Sequence, residues 1–146
     1  MKSLTDAALR LAPLAVAALF VVATPAQDGP SLYDCMEGMK DNLKALSKSL
    51  EDDARQADSL KHVSLMQSYV MIGKELEPSN LYDLPEDQRH AHSLAFRADM
   101  AKTLGALAEM EQQICAGDNA SAMAAIRSQL LELRNASHDK YQAEDH

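Results

Sequence analysis

Apolar side chains recur at alternating steps of three and four residues along most of the chain, which is the spacing of one face of an α-helix. Ser31 and Asp34 resemble a capping box, in which a hydroxyl and a carboxylate bond the first free amides of a helix. The pattern therefore predicts a first helix that begins at Ser31. Its apolar stripe comprises Leu32, Met36, Met39, Leu43, Leu46 and Leu50.

A second helix is predicted after the polar stretch EDDARQAD, residues 51–58. The segment Pro78-Ser79-Asn80 ends it, because proline cannot continue a helix. The stripe keeps the spacing of the first helix and comprises Leu60, Val63, Met66, Val70 and Gly73.

A third helix is predicted to begin at Pro85, since proline suits a first helical turn and is followed here by acidic Glu86 and Asp87. Gly117 is expected to end the helix in the left-handed conformation that glycine tolerates. The stripe of this helix comprises Phe96, Met100, Leu104, Leu107, Met110 and Ile114.

The fourth helix is predicted to begin near Asp118 or Asn119. Four amphipathic helices with short connections indicate an all-α, antiparallel up-down-up-down four-helix bundle. The start of the first helix and the end of the fourth then lie at the same end, which places Met36 and His138 in one layer. The residues expected to point inward in the fourth helix are Met123, Ile126, Leu130, Leu133 or Arg134, His138 and Tyr141.

The first 26 of the 146 residues read as a secretory signal peptide rather than as part of this bundle. They carry basic Lys2 and Arg10, then an apolar run shorter than the ~20 residues of a spanning helix, then small residues before Gln27. We therefore expect cleavage near Gln27, which leaves residues 27–146 as one exported helical domain.

Charge narrows the classes of binding partner. The whole chain has a formal net charge of −8, and loss of residues 1–26 removes two basic side chains and one acidic one. The remaining acidic surface argues against nucleic acid and anionic membranes, while it permits a basic protein partner. No tryptophan and only five glycines and five prolines are present, which disfavours a turn-rich β fold.

Cys35 and Cys115 are the two cysteines, and a disulfide is common in an exported protein. In the predicted bundle they lie at opposite ends, separated by roughly 30 Å of helix. We therefore predict no bond between them within one chain, and leave free thiols or a disulfide-linked dimer open. A monomer is otherwise expected. Neither cysteine belongs to a CxxCH motif, which argues against covalent haem attachment.

The Met36 and His138 layer is the candidate site. A thioether and an imidazole can approach a flat cofactor from opposite faces, and this neutral pair is a known axial set for haem iron. Methionine is also a common gap-filler in cores, so the pattern alone leaves a metal site and a plain core both open. No hydrolase triad, glycine-rich phosphate loop or HExxH motif is present, and no enzyme is predicted. The other four histidines are expected at the surface: His62, His90, His92 and His146.

Three segments resemble the cytochrome b562 family: LYDCMEGMKDNLK at 32–44, FRADMAKTLG at 96–105 and RNASHDKY at 134–141. The resemblance extends over about residues 32–142, is weak in the second helix and is absent in the loop 79–93. It implies a periplasmic b-type cytochrome that binds one non-covalent haem and carries single electrons to an unknown redox partner.

Carried over by position, the resemblance implies that Met36 and His138 are the two axial ligands of the haem iron. The chain departs from the family at Met100 and Ser137, where the family has aromatic residues, and at Cys35, where it has asparagine. The implied pocket walls are Leu32, Met39, Met66, Pro78, Phe96, Met100 and Arg134. The rival hypothesis is a haem-free exported bundle that binds copper through methionine and histidine, or binds a partner protein.

Overall fold

Four helices pack together in residues 29–141, the part of the chain that a computed structural model describes. The fourth is continuous but consists of two α-helical parts joined by a π-helical turn. α1 packs against α2, α2 against α3, and α3 against both parts of the fourth helix, so the predicted all-α four-helix bundle is confirmed. The helices are α1 (Leu32–Ser49), α2 (Gln56–Gly73), α3 (Glu86–Cys115), α4 (Asn119–Ala125), the π turn (Ile126–Leu130) and α5 (Leu131–Tyr141).

The predicted helix boundaries at Ser31, Gly117 and Asp118 hold because each depends on local chemistry. The Ser31 hydroxyl accepts the Asp34 amide at 3.1 Å, and the Asp34 carboxylate accepts the Ser31 amide at 2.9 Å, which completes the capping box. Gly117 has a φ of 75° after α3, and Asp118 caps α4. Other boundaries differ: Pro85 is the N-cap of α3 and not its first helical residue. α2 begins at Gln56, inside the predicted break 51–58, and ends at Gly73, five residues before Pro78.

The core follows the three predicted stripes closely. Leu46 of α1, Val63 and Val70 of α2, and Leu107 of α3 are fully buried. Where α1 and α2 meet near the loop, the buried hydroxyls of Ser49 and Ser59 lie 2.8 Å apart and satisfy each other. Because each hydroxyl has a hydrogen-bond partner, burying this polar pair costs little free energy.

The fourth helix departs from the expected pattern in its second half. His138, expected to point inward, is exposed, while Tyr141 is buried as expected. Of the two alternatives Leu133 and Arg134, the leucine is partly buried and the arginine is exposed. Leu133, Ser137 and Tyr141 follow one another at steps of four and form the inward line of α5, and His138, one residue past Ser137, is turned about 100° away from this line.

The structure describes both cysteines but not the predicted signal peptide. Cys35 is buried in α1 and Cys115 is exposed at the end of α3, and neither is bonded within the described residues. The predicted signal peptide, residues 1–26, lies outside them. No helix within residues 29–141 is long and apolar enough to cross a membrane.

Candidate functional site

Met36 lies in the first turns of α1, on the helix face that meets the core. Its side chain is half-buried, as are those of Leu32 and Met39, one turn before and one turn after it. All three pack against the buried core cluster. The thioether of Met36 therefore lies at the boundary between the core and one end of the bundle.

Gly73, the last residue of α2, lies next to side chains of both α3 and α1. A Cβ on Gly73 would lie 2.9 Å from the Met100 Cε, 3.6 Å from the Leu32 Cδ1 and 3.8 Å from the Cys35 Cβ. Of these atoms only the Met100 Cε, at the flexible end of its side chain, would have to move. Met100 of α3 and the turn of α1 that carries Met36 therefore both lie next to Gly73.

Phe96, one turn before Met100 on α3, faces the fourth helix. Its ring meets the ring of Tyr141 edge to face, with 5.0 Å between centroids and 77° between planes. Met66, Phe96 and Met100 are each at most 5% exposed. One turn of α3 therefore lies near the start of α1 at Met100 and contacts the end of α5 through Phe96, which puts the start of α1 and the end of α5 at the same mouth of the bundle.

His138 lies one turn before Tyr141 on α5, and Arg134 one turn earlier again; both side chains are exposed. Pro78 is buried in the loop after α2. Within residues 29–141, α1 and α5 do not pack closely against each other. The structure therefore brings the two candidate ligands to the same end of the bundle, on helices that do not touch closely, and does not join them directly.

A polar network that the sequence reasoning missed surrounds Tyr141. Its hydroxyl donates to Asp99 Oδ2 at 2.6 Å, and Lys140 Nζ reaches the same oxygen at 3.1 Å. The Asn80 amide donates to the Lys140 carbonyl at 2.9 Å, and His92 Nε2 lies 2.8 Å from Asn80 Oδ1. A possible signal was the spacing of His92, Phe96 and Asp99, which places them on one face of α3.

The histidines predicted to lie at the surface divide into three cases. His90 is exposed, as expected. His62 and His92 are half-buried, and the prediction was wrong for both because each has an asparagine partner: Asn42 for His62, at 2.9 Å, and Asn80 for His92. His146 lies outside the described residues. No group of three or more His, Cys, Asp or Glu side chains with metal-binding geometry occurs in residues 29–141.

Asp99 is the group in this region whose acidity the fold changes most. Hydrogen bonds from Lys102, then from Tyr141 and Lys140, hold the pKa of its carboxyl well below the usual range. Burial, together with the hydrogen bond to Asp99, raises the pKa of the Tyr141 phenol. Both shifts favour the same arrangement, in which a neutral phenol donates to an ionised carboxylate.

The depressed pKa of Asp99 predicts acid sensitivity. The stabilisation is complete above the carboxyl's unfolded pKa of about 3.9 and is lost as the pH falls through the lower folded pKa. Lys140 and Tyr141, whose pKa values are raised, stay protonated throughout this range. We expect the free energy of unfolding of the haem-free protein to fall more steeply below roughly pH 4 in wild type than in Asp99→Asn. Urea titrations at several pH values measure this, and parallel curves for the two proteins would contradict it.

A four-helix bundle that carries a thioether and an imidazole at one end, beside an apolar wall, has the arrangement of a helical haem-binding electron-transfer protein. A family model described as Cytochrome b562 matches residues 31–142, which span the whole bundle. The chain therefore belongs to the cytochrome b562 family, a family of haem-binding electron carriers. No curated protein matches the chain.

Proposed function

We propose that the protein is an exported b-type cytochrome that binds one haem non-covalently and carries single electrons in the periplasm. Met36 and His138 are the proposed axial ligands. Family membership supports the haem. The observation that supports these ligands is one turn of α3, whose Met100 lies near the start of α1 and whose Phe96 contacts the end of α5, at the same mouth of the bundle.

The donor set fits haem iron. A thioether and a neutral imidazole bring no charge into a partly apolar site, and a ring between α1 and α5 would meet one ligand from each helix. The bound haem would supply the one-electron chemistry. Because protein atoms would fill both axial positions, no position on the iron stays open for a substrate, which favours electron transfer over catalysis.

The proposed wall residues would line the pocket on the side of Met36. Met66, Phe96 and Met100 are buried in the core, while Leu32 and Met39 flank Met36 on α1. Arg134 is exposed and lies one turn before His138, and in this proposal it would pair with a haem propionate. Met100 is more flexible and more polarizable than the aromatic residue that the family has there, which gives the pocket a softer wall.

The two cysteines favour haem that is not covalently attached to the protein. Neither cysteine stands in a CxxCH motif. Cys35 is next to Met36 but fully buried, and burial raises the pKa of its thiol, so little of the nucleophilic thiolate forms. A thioether between Cys35 and a haem vinyl group is therefore not part of the proposal.

Haemin titration of the purified protein tests the proposed function. We expect saturation at one haemin per chain, sharp low-spin bands on reduction, and complete extraction of the haem into acidified organic solvent. Copper salts, added in a parallel titration, test the rival hypothesis. Binding of copper without any low-spin haem species would overturn the proposal, and haem that resists extraction would overturn its b-type assignment.

Export is tested separately by expression of the full chain in a Gram-negative host. We expect the protein in the periplasmic fraction, with a mass that corresponds to cleavage near Gln27. Retention of residues 1–26 in a cytoplasmic product would contradict the predicted localisation.

A further inference from the structure

The last turn of α5 is attached to α3 by contacts that do not involve His138. The ring of Tyr141 lies between the rings of His92 and Phe96, at centroid distances of 5.1 and 5.0 Å. Its hydroxyl donates to Asp99. His92, Phe96 and Asp99 follow one another at steps of four and three on α3, so a single face of that helix holds the tyrosine from three sides.

A second attachment comes from the loop between α2 and α3. Lys140 has a carbonyl in the final turn of α5, where carbonyls lack partners within their own helix. Asn80 donates its amide to this carbonyl at 2.9 Å. Since the amide nitrogen faces a carbonyl, the Asn80 oxygen faces His92, and His92 Nε2 must carry the proton of the 2.8 Å bond between them.

These contacts matter because the π turn lies upstream. A π-helical turn interrupts the regular ladder of α-helical hydrogen bonds, so the direction of α4 does not by itself determine the direction of α5. The last turn therefore needs contacts of its own to keep a constant orientation. Tyr141, buried to 4% exposure, provides them through its ring and its hydroxyl.

We propose that Tyr141, Asp99, Asn80 and His92 form an anchor that positions the turn carrying His138 for haem ligation. None of the four contacts the iron in this proposal; they act through the backbone of α5, since His138 lies one helical turn before Tyr141. The proposal rests on the proposed function, because it needs His138 to be a ligand. A hydrogen bond to an ionised carboxylate is among the stronger ones, which makes the link between Tyr141 and Asp99 the main element of the anchor.

Tyr141→Phe tests the anchor with little risk to folding, because it keeps the ring and removes only the hydroxyl. Asp99→Asn is the second variant, and Asn80→Asp, which loses the donor to the Lys140 carbonyl, is the third. Glu75→Gln is the matched control: Glu75 accepts two hydrogen bonds from Arg97 of α3, at 2.7 and 2.8 Å, in an exposed pair that does not involve α5.

The readouts are the spin state of the ferric protein at saturating haemin and the rate of haem transfer to an acceptor protein in excess. For Tyr141→Phe and Asp99→Asn we expect a high-spin component and transfer roughly ten- to a hundredfold faster, the scale of a lost hydrogen bond to a charged group. Glu75→Gln should match wild type in both. A purely structural contact would lower the stability of the haem-free protein and leave the ferric spectrum unchanged, and that result would overturn the anchor.

His138→Ala separates the two proposals. If this variant keeps the low-spin spectrum of wild type, the ligand assignment fails and the anchor fails with it. If His138→Ala loses the low-spin spectrum while Tyr141→Phe and Asp99→Asn behave as wild type, the proposed function stands and only the anchor is refuted.

Discussion

Replacing His138 by alanine should abolish the low-spin spectrum of the haem-loaded protein and weaken haem binding by roughly a hundredfold or more. The magnitude follows because loss of a mere outer-shell partner of a metal ligand already costs about 10–100-fold. Met36→Ala should act differently. The imidazole still binds, so we expect haem to be retained with five-coordinate, high-spin iron. Optical spectra of ferric and reduced protein, with a haemin titration, distinguish the two outcomes.

The controls are a second histidine and a second methionine of the same chain. His90 is exposed like His138, and Met123 is half-buried against the core like Met36. His90→Ala and Met123→Ala should keep the wild-type spectrum. If either control behaved like its proposed ligand counterpart, or if His138→Ala kept low-spin bands, the ligand assignment would be refuted.

The exposure of His138 gives this experiment a further arm. Substitutions of exposed residues outside special contacts usually change stability by no more than about 0.5 kcal/mol. His138→Ala should therefore leave the unfolding of the haem-free protein unchanged while it removes most of the stabilisation that haem provides. A large loss of stability without haem would mean that His138 serves the fold instead.

The fold could be predicted from the sequence because its determinants are local. Stripes at helical spacing identify the buried faces of α1, α2 and α3, and a burial pattern of period 3.6 needs no knowledge of the neighbouring helix. The capping box at Ser31 and the left-handed Gly117 each depend on a few adjacent residues. Where such a signal exists, the predicted boundary lies within one residue of the observed one, as at Pro85. α2 has no comparable signal, and it begins inside the predicted break and ends five residues before Pro78.

The second half of the fourth helix could not be predicted in the same way. Helical period carried inward positions through residues 126–130 without a break, whereas the structure has a π turn there. Past this turn, steps of three and four from Leu130 allow either Ser137 or His138 on the inward face, so the period alone does not distinguish them. In the structure Ser137 is partly buried and His138 is exposed.

Some parts of the candidate site could be predicted from the sequence pattern and others could not. Helix order put Met36 and His138 at one end, but only the family resemblance indicated haem. The anchor around Tyr141 was missed because Asp99 and Tyr141 are 42 residues apart, and no spacing rule within one helix links them. His92 was predicted at the surface because its partner, Asn80, lies in a loop outside α3, where helical spacing gives no sign of the contact.

Leu107→Ala should have the opposite profile to His138→Ala. Leu107 is fully buried in the middle of α3, two turns beyond Met100 and away from the proposed ligands. Truncation of a buried leucine removes apolar contacts and leaves a cavity, which typically costs about 2–5 kcal/mol. We expect a loss of that size in the free energy of unfolding of the haem-free protein, measured by urea titration. Leu94→Ala, an exposed leucine on the same helix, is the control and should change stability by less than about 0.5 kcal/mol.

The holo form of Leu107→Ala then shows whether the site depends on the whole core or only on one end of the bundle. Haem stabilises the folded state according to its free concentration and dissociation constant, so an intact site adds the same increment to a weakened fold as to a strong one. We expect a wild-type spectrum and an unchanged haem-induced increment. A smaller increment would mean that a cavity two turns away weakens haem binding. An unchanged increment, together with the loss of increment in His138→Ala, would show that haem binding is a property of the end of the bundle where α1 begins and α5 ends.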